Sequence, residues 1–327
     1  MPKKTLIAIG AGVLSAFAAT AFLSQAPGAL MLVYFADLPL FLAGFGLGPQ
    51  SMVISGAVGF MAAGLIGGGI AAGVFGMTQV LPAWLVVRQY LLQRPQGSSG
   101  AADGADTVGA AVDWYPIGNI LCWLTMLAAA ALVAGTMAAM GGAEGLSVLV
   151  STNLENLLQA MAPQWEPDHL ARMVGIMTPM FPGAIGVSWI IMTIVNATLA
   201  QGLMVKWGSA QRPSPAYIDL ELPQWISWPM IAAALLALMG SGEMEYTGRN
   251  LAMIFAVPYF FLGLAAVHTW AGRIANKWLV LVGFYLVLVL SGWAVLIVTG
   301  AGIFKQWGGL SRKAAGNGEN GPNDVNV

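Results

Sequence analysis

Apolar residues run through this chain in long blocks separated by short polar breaks, and within the blocks polar and apolar positions do not alternate with a period of two. A crossing of the hydrocarbon core takes about 20 residues at about 1.5 Å each. On that template the pattern predicts spans near residues 5–24, 28–48, 50–66, 69–92, 115–140, 176–205, 223–241, 250–271 and 278–303. That makes nine crossings, or eight if one of the first three is re-entrant. Lipid offers backbone groups no hydrogen-bond partner, so unbroken runs of this kind predict helices and exclude a barrel. The fold class expected is all-α, a polytopic transmembrane helical bundle.

Composition agrees: 58% of the 327 residues are apolar and 8% are charged, where a soluble domain carries about a quarter charged. The lipid bilayer is therefore the first partner. The net charge is −1 and no basic cluster exceeds two residues, so nucleic acid is excluded as a partner and attraction to anionic lipid is weak. One cysteine, Cys122, lies in an apolar run and reads as a packed thiol. His169 and His268 are far apart, so a zinc site and a metal cofactor are not expected. No phosphate loop, His-Glu-x-x-His or Gly-x-Ser-x-Gly occurs, so the chain is not expected to be an enzyme or to need a cofactor.

Loop charges set an orientation. With the amino terminus in the cytoplasm, Lys3, Lys4, Arg88, Arg94, Lys206, Arg212, Arg273 and Lys277 fall inside, while Glu144, Glu155, Glu166, Asp168, Glu243 and Glu245 fall outside. Lys305, Arg312 and Lys313 oppose a nine-span plan. Lys3-Lys4 before an apolar run also fits a signal peptide, but the next span follows after only Gln25-Ala26-Pro27, which favours a retained helix. Trp114, Tyr115, Trp207, Trp225, Trp228, Trp270, Trp278 and Trp307 stand at span ends, where amphipathic rings prefer the headgroup level. Residues 95–112 and the tail 305–327 carry too little apolar volume to pack and are expected to be disordered. Within 144–161, Leu146, Val150, Leu154, Leu157, Leu158 and Met161 recur at helical spacing and predict an interfacial helix, a surface connector or a lid over an outward cavity.

Candidate chemistry begins at Asp37-Leu38-Pro39, an acid and a proline inside an apolar run. A carboxylate near the bilayer centre costs about 2.5 to 3.5 kcal/mol on insertion scales, so it needs a reason to be there. Asp37 reads either as the cap of a half-length helix or as a group that orients a solute at the mouth of a broken span. Asn196 and Gln201 lie within the sixth span and read as interhelical hydrogen bonders or as cavity lining. Pro179 and Pro182 break the start of that segment. Glu243, Glu245, Arg249 and Asn250 cluster between spans seven and eight, Asn250 heading an apolar helix. Ala8, Gly12, Ala16 and Ala19 form a small-residue stripe on the first span that can accept a helix, from this chain or from a partner.

The spacing of Asp37-Leu38-Pro39, Gly44-Phe45, Gly48-Pro49 and Gly56 resembles the signature of S components, the substrate-binding membrane subunits of energy-coupling factor transporters, over roughly residues 34–60. That resemblance implies a six-helix front half to about residue 206, a vitamin or metal ion taken from outside, and a separate ATPase-coupled transmembrane partner docking on the first-span stripe. Three further spans depart from that plan. Leu222-Pro223-Gln224-Trp225, Asn250-Leu251 and the segment Gly302 to Arg312 make the whole similar to a group of uncharacterised bacterial membrane proteins. The division expected is 1–206, an S-component-like membrane domain; 207–304, a three-helix extension; and a polar tail from 305. The expected function is to bind, and help move, a small solute across the inner membrane. The alternative is a non-transporting scaffold for envelope or division proteins. Asp37, Asn196, Gln201 and Asn250 are the candidate solute-binding residues.

Overall fold

The computed structural model describes residues 2–24, 26, 28–95, 112–141 and 145–318. Its helices are α1 (Lys3–Thr20), α2 (Ala29–Tyr34), α3 (Asp37–Leu47), α4 (Pro49–Phe75), α5 (Leu81–Tyr90), α6 (Ile117–Met140), α7 (Leu146–Met161), α8 (Pro167–Met177), α9 (Phe181–Lys206), α10 (Ser227–Met239), α11 (Glu243–Ala271), α12 (Lys277–Leu290) and α13 (Gly292–Gly318). Strands β1 (Gln93–Pro95) and β2 (Val112–Trp114) pair antiparallel, with Arg94 opposite Asp113. The loop expected to be disordered lies outside the described residues apart from its ends, Pro95 and Val112, which pair with each other. The tail expected from residue 305 begins as helix, because α13 runs on to Gly318.

Six helical stretches are long and apolar enough to cross a membrane, or seven if the bent pair α12 and α13, folded by 116° between Leu290 and Gly292, counts as one. The protein is thus an all-α, multi-pass membrane protein. The count differs from nine for local reasons. The stretch Pro49–Tyr90 has 42 residues, roughly 63 Å of helix at about 1.5 Å per residue and twice the hydrocarbon thickness. It is folded at Gly68, whose φ of +79° only glycine adopts without strain. Cβ atoms added to Gly64, Gly59, Gly56 and Gly76 would meet Ala72, Phe75, Val80 and Phe60 respectively. Those pairs are centred on residue 68, so the stretch is an antiparallel helical hairpin whose legs correspond to the expected segments 50–66 and 69–92. The segment expected at 223–241 holds only a short apolar helix, Gln224–Met239.

Two compact units make up the chain: one is residues 1–120 with 188–215, the other 121–187 with 216–327. The division falls inside α6 and α9 and interleaves the sequence, whereas the sequence reading divided it into contiguous pieces. In the first unit α1 packs on α4 and α3, and α3 also packs on α4 and α5. Leu40, Phe41, Phe45, Met52, Phe75 and Val87 fill the core between them. The α1–α4 crossing is close because Gly12 faces the backbone of Ser55 and Gly59, and a side chain at Gly12 would overlap the Ser55 carbonyl. In lipid such contact is the main source of helix association, since burial of apolar surface contributes nothing there.

The second unit is arranged around α11, which packs against α10 and α13. Gly263 and Gly302 stand where a Cβ would overlap the carbonyls of Val298 and Tyr259, so α11 and α13 touch backbone to backbone. Tyr259 donates to Ser227 Oγ at 3.2 Å, tying α11 to α10. The helix expected within 144–161 is α7, with Leu146 and Leu154 buried and Val148, Leu149, Leu157 and Met161 exposed. Ser147, at its start, donates to the Glu243 carboxylate through both N–H and hydroxyl.

Candidate functional site

Pro39 supplies no N–H, so the carbonyl of Phe35, four residues earlier, loses its α-helical partner. The chain responds by tightening: the N–H groups of Phe35, Ala36 and Leu38 bond to Leu32, Val33 and Phe35, each three residues back. This short 3₁₀ turn separates α2 from α3 and strips the Tyr34 carbonyl of the N–H it would have received from Leu38. Asn196 on α9 fills the gap, its Nδ2 donating to Tyr34 O at 2.6 Å and to Met192 O at 2.9 Å. Two carbonyl acceptors identify that end of the amide as nitrogen. Ser15 on α1 donates to Ala36 O at 2.6 Å, closing the same turn from the other side.

Asp37 stands in the first turn of α3 but does not cap it, because the cap residue is Ala36 and no side chain caps that end. The capping role expected from Asp-Leu-Pro is therefore not the one the structure shows. The first-turn N–H groups follow directly from the preceding 3₁₀ turn, so the helix end is not open for a side chain. The carboxyl points inward instead: Asp37 is 0% exposed. Its Oδ2 accepts a long hydrogen bond of 3.4 Å from Thr193 Oγ1. Its Oδ1 has no partner among the described residues, and neither does Asn196 Oδ1.

A second proline repeats the logic. Pro82 removes the N–H that Thr78 O would have received, and the segment Gly76–Val80 relaxes into a π turn. Trp189 Nε1 reaches across from α9 to Thr78 O at 2.8 Å. The neighbouring Gln79 is buried, with its Oε1 unpartnered among the described residues. Trp189, Thr193 and Asn196 thus form one stripe along α9 that answers the defects of two other helices. Sequence reading found Asn196 and missed Trp189, Thr193 and Ser15. The available signal was the spacing i, i+4, i+7 of Trp189, Thr193 and Asn196, set against carbonyls orphaned by prolines.

The other candidate residues lie elsewhere. Gln201, further along α9, donates through Nε2 to Arg212 O at 2.8 Å, while Arg212 donates to Tyr90 O and Tyr115 O and packs over the rings of Tyr90 and Trp114. Gln201 holds a loop to helix ends. Asn250 belongs to the second unit, where Oδ1 accepts from Gly183 N at 2.7 Å and Nδ2 donates to Pro179 O and Tyr246 O. In a continuous helix Gly183 N would bond Pro179 O, so the side-chain amide of Asn250 stands in for a missing peptide bond partner at both ends. Tyr246 donates to Thr178 O, which also accepts from Phe181 N in the 3₁₀ turn and lacks only the i+4 donor that Pro182 cannot supply. Glu245 pairs with Arg249 one turn along α11, as an exposed ion pair.

Of the small-residue stripe, Ala8, Gly12 and Ala16 are buried and Ala19 is partly buried. Gly12 lies directly against α4 of the same chain, so the stripe serves as a helix-packing face and is not open to a docking partner. Two open cavities are described in the first unit. One of about 440 Å³ is lined by Phe17, Thr20, Leu32 and Ile66 among others. The other, of about 350 Å³, lies along Leu92–Arg94 and Asp113–Pro116. Neither is lined by Asp37. Cys122 is buried and free, and no group of three or more metal-ligating side chains occurs among the described residues.

No curated protein and no solved structure matches this chain significantly. A family model does match, over residues 117–304. The match takes in Trp189, Thr193, Asn196 and the Asn250 clamp but stops short of Asp37. It covers more than half of the chain, which therefore belongs to the family described as predicted membrane protein (DUF2232).

Proposed function

We propose that the first unit binds a small solute at the break between α2 and α3, and that the protein helps to move it across the inner membrane. The observation that carries this reading is the pair of buried oxygens, Asp37 Oδ1 and Asn196 Oδ1, which have no donor among the described residues. A buried polar atom without a partner costs about 1 to 3 kcal/mol. Inside a bundle such a cost is tolerated where a ligand removes it. Broken helices place backbone and side-chain polar atoms at membrane depth for that purpose in transporters. The resemblance of residues 34–60 to S components points the same way and brings an ATPase-coupled partner into the proposal. In this reading the amino terminus is cytoplasmic and the protein performs no bond chemistry of its own.

The test is thermal unfolding of the purified full-length protein in mild detergent against a panel of vitamins, amines and metal ions. A saturable rise in melting temperature for one member, lost in Asp37→Asn, supports the proposal. No stabilisation by any member overturns it. Recovery of a stoichiometric envelope or division protein with no bound small molecule assigns the scaffold role instead.

A further inference from the structure

The unpartnered atoms around the break share one sign. Asp37 Oδ1 and Asn196 Oδ1, like Gln79 Oε1 at the second proline defect, are all oxygens. The donors that reach the two helix defects are all engaged: Ser15 on Ala36 O, Asn196 Nδ2 on Tyr34 O and Met192 O, Trp189 on Thr78 O, and the single Thr193 hydroxyl proton shared between Trp189 O at 3.0 Å and Asp37 Oδ2 at 3.4 Å. What remains is a set of acceptors with one carboxylate among them. Such a set attracts a positive ligand and offers nothing to an anion or to a ligand that needs donors.

Position narrows the choice. Asp37 and Thr193 meet, and one helical turn along each partner Tyr34 O and Asn196 meet, so the two unpartnered oxygens belong to adjacent rungs of the same α9 contact. Asp37, Ala36, Leu40 and Phe41 are 0% exposed, as are Thr193 and Ile190. A single carboxylate balances one positive charge, and the described residues hold no cluster suited to a divalent metal. Hard monovalent cations take oxygen ligands, and unwound transmembrane segments coordinate sodium in this manner.

We infer that Asp37 Oδ1 and Asn196 Oδ1, with Thr193 Oγ1 beside them, form a binding site for a dehydrated sodium ion at the α2–α3 break. This deepens the solute-binding reading above and rests on it. The ion removes the cost of both unpartnered oxygens at once and bridges α3 to α9.

The test is equilibrium binding of radioactive sodium to the purified full-length protein in detergent, with choline chloride holding ionic strength constant. Saturable binding of one ion per chain, displaced by lithium more readily than by potassium, is expected. Asp37→Asn and Asn196→Leu should each weaken it by about tenfold or more, the buried ion having lost a ligand. Absence of saturable binding to the unaltered protein overturns the inference, as does binding unchanged in both variants. Should a variant not fold, the melting temperature of the unaltered protein at fixed pH is read against sodium. A rise with sodium supports the site. A melting temperature that follows pH alone assigns a proton, and one that follows neither assigns trapped water; both overturn it. Stabilisation by an organic solute in sodium-free buffer, without sodium binding, sinks this inference and leaves the solute reading standing. Failure of sodium and of every solute sinks both.

Discussion

Two asparagines repair proline-broken helices in this protein, and they do so to different degrees. Asn250 uses both ends of its amide, bridging Pro179 O and Gly183 N, so no atom of that amide is left over. Asn196 uses only its nitrogen, on Tyr34 O and Met192 O, and its oxygen is left over. The cause lies in the backbone each one meets. At the start of α9 the Gly183 N–H is offered to Asn250 Oδ1. Between α2 and α3 the 3₁₀ turn has already consumed the N–H groups of Phe35, Ala36 and Leu38. The same residue type in the same task therefore gives an amide bonded at both ends in one unit and an amide whose oxygen is left over in the other.

The largest expected effect tests the closed clamp. Asn250→Leu leaves Pro179 O and Gly183 N both unbonded and should lower stability by about 3 kcal/mol or more, seen as a large fall in melting temperature with no change in ligand response. Asn196→Leu strips only Tyr34 O of its interhelical donor and should cost about 1 to 2 kcal/mol. A loss equal to that of Asn250→Leu in the same thermal assay would show that the two breaks are equivalent. Thr193→Val removes a long hydrogen bond to Asp37 while keeping the side-chain shape, with an expected cost of about 1 kcal/mol. Its proportionally greater effect should be on ligand-dependent stabilisation. Smallest of all should be Pro39→Ala, which gives Phe35 O an i+4 donor in place of the i+3 bond from Leu38 N and lets the α2–α3 turn relax toward a regular helix. Melting temperature should stay level or rise by a few degrees, equivalent to at most about 1 kcal/mol, while ligand response falls. A marked destabilisation would mean that the break is not imposed by the proline.

Much of the architecture was legible because lipid makes few demands and enforces them strictly. Continuous apolar runs had to become helices, and Gly68 between two such runs marked where a 42-residue stretch folds on itself. Apolar runs and continuous helices part where apolar composition continues past a bend, as at Leu290, or where an apolar segment is shorter than the bilayer, as at Gln224–Met239. Composition reports transfer free energy and is blind to chain direction. The Ala8-Gly12-Ala16 stripe was visible as a face for close approach, but only packing decided that α4 occupies it.

The site divides in the same way. From the amino-acid sequence alone follow the membrane class, the helical secondary structure, and the presence of Asp37 and Asn196 where polar groups are costly, because each of these depends on local chemistry against a uniform solvent. Tertiary structure alone decided that Asp37 turns inward to Thr193 and leaves its helix end uncapped, and that Asn196 and Asn250 serve different breaks. It also decided which oxygens are left without donors. Those outcomes depend on which orphaned carbonyl faces which side chain across helices up to 162 residues apart in the chain, and hydrogen bonding at that range is settled by packing geometry that no local pattern encodes.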